Sequence, residues 1–428
     1  MGSLLSLALP SAIFTVLTNG FRVVDQYFIQ RVSTDAQAAI GSSVFVIIFF
    51  YATFALISAG AGPLVARATG AQDHVGRRRI VGTSLAGAVV LAVIVSAFGI
   101  LGAPWLASSL GLTGGAAEQC ILYLTALSWT ILPLVLTPTV DQTLIAMGNA
   151  KLPMVLHGVS LGLNIVLTPI AIESYGIAGA ALASNLARAV ATAAGLLLLA
   201  RIVGLRFRDV RLSPELVRVM RIGSPIALGV AAYSLVYWAM LKTSVSPLGP
   251  EVNAALGIGF SGLEGVTWPI FHGLSLAVAS LVGRHLGAGR RDLARATVRL
   301  ALWPATIGGV IASLSFYYGG EWLTGLFTAD PAVHAAATEY AIILAFSQLP
   351  LAWETLAEGC LSGAGDTKTV FWFSAPVNAL RIPLAWVVAL PLGFQAAGVW
   401  WVISMTTWIK AGLKSDAVRR GKWAFLDP

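Results

Sequence analysis

The sequence is short of charge. Asp, Glu, Lys and Arg make up 11% of its 428 residues, where a soluble globular domain carries ~25%. It has two cysteines, Cys120 and Cys360, too few for a disulfide framework. The topology derived below sets them at opposite membrane faces, so no pairing is expected. No His/Cys spacing reads as a zinc site, and the five histidines are scattered. No phosphate loop of the Walker type is present, so ATP does not drive the chain directly. The N-terminal MGSLLSLALPSAIF lacks a basic n-region and a cleavage pattern, so no signal peptide is expected. Two motif matches mislead. GIGFSG at 257–262 fits a dinucleotide pattern and GVSLG at 158–162 a hydrolase elbow. Both lie inside apolar spans, where neither the strand–turn–helix context nor the strained turn can form.

Apolar residues are abundant. They make up 57% of the chain, and glycine adds 44 residues more; the mean hydropathy is +0.82. No soluble fold has interior enough for that surface. A soluble enzyme, a disordered chain and a disulfide scaffold are excluded, leaving an all-α integral membrane protein. A crossing helix needs roughly 20 mostly apolar residues. Twelve such spans fall near 4–29, 38–66, 80–103, 119–147, 152–172, 175–200, 222–246, 252–283, 296–318, 333–362, 369–391 and 393–412. A barrel is a poor fit, because stretches such as Val44–Ile57 do not alternate.

With the N-terminus in the cytoplasm, 22 of the 27 Lys and Arg face the cytoplasm, Lys410 and Lys414 among them, against Arg31 and Lys242 outside. This positive-inside asymmetry puts both termini in the cytoplasm of a cell-membrane protein. It also accounts for the net charge of +8 without nucleic acid. The chain repeats itself as well. Pro10 in ALPSAI matches Pro225 in GSPIAL, 215 residues on. VARATGA matches VGRHLGA and AMGNAK matches GAGDTK at 217, and GIAGAA matches QAAGVW at 219. Each half holds six spans, so both halves share one orientation. The expected architecture is two pseudo-symmetric six-helix lobes, 1–203 and 222–428, around a central cavity. A basic cytoplasmic linker, 204–221, joins them, and a short basic tail ends the second lobe.

Charge inside hydrocarbon usually faces a cavity or a partner. Arg22 and Asp25 lie three apart on the first span, and Asp141 is on the fourth. Glu264 is on the eighth, and Glu354 and Glu358 are stacked four apart on the tenth. Two carboxylates that close disfavour double ionisation, so one of this pair is expected to hold a proton. Glu358 is the repeat mate of Asp141, and Arg381 that of Asn164. Arg188 and Asn185 lie on the sixth span. Trp353, beside Glu354, is placed to stack on a cationic ligand. Glu264, Glu354, Glu358, Trp353 and Asp141 are therefore candidates for a substrate cavity. Packing or interfacial roles are the alternative for each.

NGFRVVDQYFIQRVSTDAQAAIG (19–41), VARATGAQD (65–73), LNIVLTPIAIESYGIAGAALAS (163–184), VGRHLGAGRRD (282–292) and CLSGAGDTK (360–368), in this order and spacing, make the whole chain resemble the multidrug and toxic compound extrusion (MATE) family. The resemblance implies secondary active export of small organic, often cationic or amphipathic compounds by alternating access, in exchange for H⁺ or Na⁺. It implies a monomer with no other cofactor and no enzymatic activity. The family's first-span acid falls on Asp25, its fifth-span Asn on Asn164 and its sixth-span hydroxyl on Ser184. Where bacterial relatives place a further Asp, this chain has Thr168. One carboxylate in place of two favours H⁺ over Na⁺, which prefers a cage of charged oxygens; Arg22 beside Asp25 opposes proton uptake. Two other readings stand beside this one. A lipid-linked saccharide flippase shares the broader fold and would use Arg22, Arg188 and Arg381 for a pyrophosphate. An intramembrane enzyme would use Glu354 and Glu358 as acid and base.

The orientation is testable. Single cysteines introduced at Ser108 and Gln72 should be labelled from outside at Ser108 only. Labelling at Gln72 with protection at Ser108 reverses the topology.

Overall fold

The computed structural model of the chain describes residues 2–29, 32–110, 114–328 and 331–426. These residues are almost entirely helical, as a chain in lipid must be when no water is there to meet its backbone polar groups. The helices are α1 (Gly2–Ile29), α2 (Thr34–Gly70), α3 (His74–Leu101), the short α4 (Ala103–Ser109), α5 (Gly114–Trp129), α6 (Leu132–Ala146) and α7 (Lys151–Val203). They continue with α8 (Glu215–Met240), α9 (Pro250–Gly257), α10 (Glu264–Gly287), α11 (Arg291–Gly325), α12 (Pro331–Ala364), α13 (Thr367–Ala389) and α14 (Gln395–Arg420). π-Helical turns at Leu241–Val245 and Ile258–Leu263 extend α8 and join α9 to α10.

Among the described residues, eight helices are long and apolar enough to cross a membrane, or nine if the bent pair α5–α6 is one span. The difference from twelve has local causes. α7 runs 53 residues, which at 1.5 Å per residue is more than twice a ~30 Å hydrocarbon core. Gly176 breaks it with φ 58° and ψ −137°, a conformation essentially reserved for glycine, so α7 is two helices joined at a kink, and these supply the fifth and sixth segments. α14 carries Lys410 and Lys414 within its length. α5 and α6 meet at 55°, with a proline in the first turn of α6. The carbonyls freed at that bend are met from other helices. Asn185 donates to Leu127 O at 3.2 Å and Ser96 to Ser128 O at 2.8 Å. Asn185 thus acts as the glue between helices that small polar residues provide in lipid.

The repeat is present in the backbone. Left-handed residues recur 217 apart: Gln72 and Gly289, Gly148 and Gly365, Gly176 and Gly393, Gly204 and Gly421. Asn149 and Asp366, also 217 apart, cap the helices that follow them, bonding Leu152 N at 3.2 Å and Thr369 N at 3.4 Å. The same turns and starts therefore recur in both halves.

Two compact units are present, Ile13–Val230 and Met1–Ala12 with Ala231–Pro428. This division falls elsewhere than at the joining loop, and close backbone packing explains it. In the first unit, Gly60 of α2 lies against the Val219 carbonyl of α8, and Gly223 of α8 against the Leu56 carbonyl of α2. In the second, Gly273 of α10 lies against the Ala12 backbone. The first unit is built on an apolar core that includes Phe50, Phe54, Leu124 and Leu144. The core of the second includes Met240, Tyr340, Leu344 and Trp400.

Gly176 gives a clean test of backbone conformation, because a Cβ there meets nothing within 4 Å. Gly176→Ala should cost about 1–3 kcal/mol from φ/ψ strain alone, read as a lower Tm in detergent. An unchanged Tm would show that the break relaxes without cost.

Candidate functional site

Four residues expected to act together do meet in the first unit. Asn164 and Thr168 lie one turn apart on the first half of α7, and Ser184 lies on its second half. Asn164 Nδ2 donates to Thr168 Oγ1 and to Ser184 Oγ, each at 2.9 Å. Ser184 Oγ in turn donates to Asp25, 2.9 Å from both Oδ1 and Oδ2. Such a chain polarises in one direction, toward the carboxylate. The break at Gly176 lets a single helix reach Asp25 from two sides. Asn164 is fully buried, and its Oδ1 has no hydrogen-bond partner. Asp25 lies within hydrogen-bonding reach of Asn164 and electrostatic reach of Arg188. The Arg188 guanidinium sits 4.0 Å over the Phe21 ring, a cation–π contact that holds it without a second acid. The Arg22 side chain lies outside the described residues.

Asp141 is placed differently from the expectation of a cavity acid. It is buried in α6 and paired with His157 of α7, with Oδ2 and Nε2 2.8 Å apart. His157 Nδ1 is 3.3 Å from Thr18 Oγ1 of α1, and Phe14 packs edge-on against the ring at 4.7 Å. Read along the sequence, His157 is one of five scattered histidines. Its spacing of seven before Asn164 is the signal that would have found it, since residues seven apart share a helix face.

The acids of the second unit are also partnered. Glu354 and Glu358 on α12 do not face each other unrelieved. Lys414 Nζ, fully buried on α14, bonds Glu354 Oε1 and Glu358 Oε2 at 2.9 Å each, and Lys410 Nζ adds a third contact at 3.1 Å to Glu354. The two carboxylates expected to repel each other thus share one ammonium. Lys410 and Lys414, which charge counting assigns to the cytoplasmic side, are buried against α12. Trp353 does not stand free for a ligand. Its Nε1 donates to Thr306 Oγ1 at 2.9 Å, and its ring packs edge-on against Trp408 at 6.2 Å. Arg381 is buried among neutral acceptors: Thr406 Oγ1 at 2.7 Å, Thr407 Oγ1 at 3.1 Å, Tyr237 OH at 3.3 Å and Ile403 O at 3.4 Å. Glu264 supplies electrostatic attraction to Arg381 and lies beside Gln348, which also accepts from Thr267 Oγ1 at 3.0 Å.

The described residues thus form a helical membrane protein with a duplicated backbone and charge clusters inside its helices. Comparison with known proteins names its kind. The MatE family model matches twice, at residues 10–170 and 225–387, about three quarters of the chain in two copies that follow the internal repeat. The chain belongs to the MATE family, and it is an efflux antiporter of that type. A relative from Geobacillus kaustophilus, named multidrug resistance protein NorM, is 27% identical over 85% of this chain and 82% of its own length. Among solved structures, a MOP-superfamily transporter from Pyrococcus furiosus matches with a TM-score of 0.91 at 19% identity, covering 99% of this chain and 96% of that one. A MATE solved in complex with MaL6 matches with a TM-score of 0.91 at 19% identity over 98% and 96%. The flippase and enzyme readings fall away with this membership.

The lysine bridge is open to a direct test. Lys414→Met leaves Glu358 without its described ion pair and Glu354 with Lys410 alone. Breaking a buried pair this way costs about 3–5 kcal/mol, so a large drop in Tm is expected, mostly restored by Lys414→Arg. A wild-type Tm for Lys414→Met would show that the network adds no stability.

Proposed function

We propose that the chain exports small organic, often cationic or amphipathic compounds in exchange for protons, with Asp25 as the coupling residue. It does so in the cell membrane with both termini on the cytoplasmic side. One chain holds both repeats, so a monomer is complete. The multidrug character follows the name of the relative, the cationic or amphipathic class follows the family resemblance, and the orientation follows the distribution of Lys and Arg.

The observation that supports proton coupling is the unpartnered Asn164 Oδ1. As a carboxylate, Asp25 only accepts, and Ser184 supplies it with one hydroxyl proton. Asn164 Oδ1 is then left idle. Once protonated, Asp25 becomes a donor, and a turn of the Asn164 amide would offer it Oδ1, an acceptor that is unpartnered among the described residues. Protonation therefore changes which hydrogen bonds the cluster can make and biases two positions of α1 against α7, which is what a switch requires. Sodium would call for more charged oxygen, and Thr168 stands where a second carboxylate would supply it.

Asp25→Asn should abolish export driven by a pH gradient in proteoliposomes, while binding of a probe such as ethidium stays within a few fold of wild type. Full gradient-driven export by Asp25→Asn would refute the role of Asp25. Export driven by a Na⁺ gradient at equal pH on both sides would refute the proton.

A further inference from the structure

On α10, Glu264, Trp268 and His272 follow one another at intervals of four, so their side chains share one face of the helix. Both ends of that face are set among charges. Glu264 lies within electrostatic reach of Arg381 and Lys410, and His272 within reach of Glu358. Close backbone packing fixes the second of these levels. Gly359 of α12 lies against the Ser275 carbonyl of α10, and Gly363 against the Ala279 carbonyl. His272 stands one turn before Ser275, and Glu358 one residue before Gly359. Charged side chains within a spanning segment face the protein interior or a water-filled space. Trp268, between two residues that face such charges, points the same way and not into lipid.

Trp268 is 43% exposed. Its ring stacks on that of His272, with centroids 4.6 Å apart and planes 11° from parallel. Neither ring makes a hydrogen bond among the described residues. His272 therefore covers one face of the indole and leaves the other as a flat apolar surface. The charge open beside it is negative. Lys414 is fully buried, and Lys410 and Arg381 nearly so. Glu358 keeps 40% of its side chain exposed, and Lys414 bonds only its Oε2, so Oε1 has no partner among the described residues. One turn away on α12, both lysines bond Glu354 Oε1, and Glu354 Oε2 is buried without a partner. Unpaired buried polar atoms are few in folded proteins, and each calls for a reason. The lysines thus leave one oxygen of each carboxylate uncovered.

We propose that Trp268 and His272 form a stacking platform that selects flat aromatic cations among the substrates, with Glu358 meeting their charge. This rests on the reading of the chain as an exporter of organic cations and adds the shape it prefers. A planar aromatic cation lays its whole face on the indole, where stacking and cation–π attraction act together, and its delocalised charge comes beside Glu358 Oε1. An anion meets the open carboxylate first and is repelled. A cation whose rings surround its charge, such as tetraphenylphosphonium, has no flat charged face to offer. No bond forms or breaks on the platform, so it acts on affinity and leaves coupling to Asp25.

The test uses the full chain, with equilibrium binding of ethidium and of tetraphenylphosphonium in detergent, and export of both from proteoliposomes under a pH gradient. Trp268→Leu keeps an apolar side chain and removes the flat face. It should weaken ethidium binding about tenfold and leave tetraphenylphosphonium within twofold, and Trp268→Phe should recover most of the loss. Glu358→Gln should weaken ethidium and spare phenanthridine, the same ring system without the charge. Ethidium bound no more tightly by the wild-type chain than by Trp268→Leu overturns the proposal, as does equal weakening of both cations. Should Trp268→Leu fail to fold, His272→Leu decides. A loss confined to ethidium supports the platform, and an equal loss or none overturns it. The two readings fail differently. Export of neither cation by the wild-type chain defeats the exporter reading, while intact export with unchanged selectivity in the variants defeats the platform alone.

Discussion

A carboxylate in hydrocarbon has to find its partner within the protein, and this chain meets that demand in three ways. Asp25 is held by the Ser184 hydroxyl, which the Asn164 amide bonds in turn. Asp141 is held by an imidazole. Glu354 and Glu358 are held by ammonium groups. The three differ in what protonation would cost. A carboxylate bridged by lysine gives up a full ion pair in low dielectric when it takes a proton, and leaves a buried cation uncompensated. A carboxylate on neutral donors gives up hydrogen bonds, which a reoriented amide can replace. The second unit's cluster is therefore suited to joining α12 to α14, and the first unit's to changing state.

Duplication makes the contrast sharper. The two halves keep the same left-handed turns and the same capped starts, because these are set by backbone sterics that any copy must satisfy. Side-chain chemistry has diverged on that common frame. Asp141 and Glu358 occupy matching positions, yet one is paired with a histidine and the other with a lysine. Asn164, which relays a hydrogen bond to an acid, corresponds to Arg381, buried among hydroxyls and a carbonyl. One backbone thus carries an acid-centred site in its first half and a base-rich one in its second.

Much of this was legible in the residues. Hydropathy marks helices because lipid leaves the backbone little choice, and the repeat is visible wherever glycine or a capping side chain is needed. The Asp25 cluster was legible because its members sit in motifs that resemble a family. The partners of the other acids were not. His157 is 16 residues from Asp141, and Lys414 is 60 from Glu354; nothing in one helix states which rotation its neighbour presents. A lysine near the end of an apolar span reads as interfacial by composition, and only the packing of α14 on α12 buries it. The break in α7 was expected from a pair of spans. That the kink falls at Gly176, with Asn164 on one side and Ser184 on the other, depends on φ and ψ.

The replacement of an acid by Thr168 has a consequence beyond the choice of ion. A second carboxylate next to Asn164 would compete for its amide hydrogens, which now go to Thr168 and Ser184. Thr168 accepts one of them without adding charge, so the polarised chain from Asn164 through Ser184 ends on Asp25 alone. A single acid at the end of a neutral chain changes the charge of the cluster by one when it takes a proton, a change felt by Arg188. The change falls where the two halves of α7 meet α1.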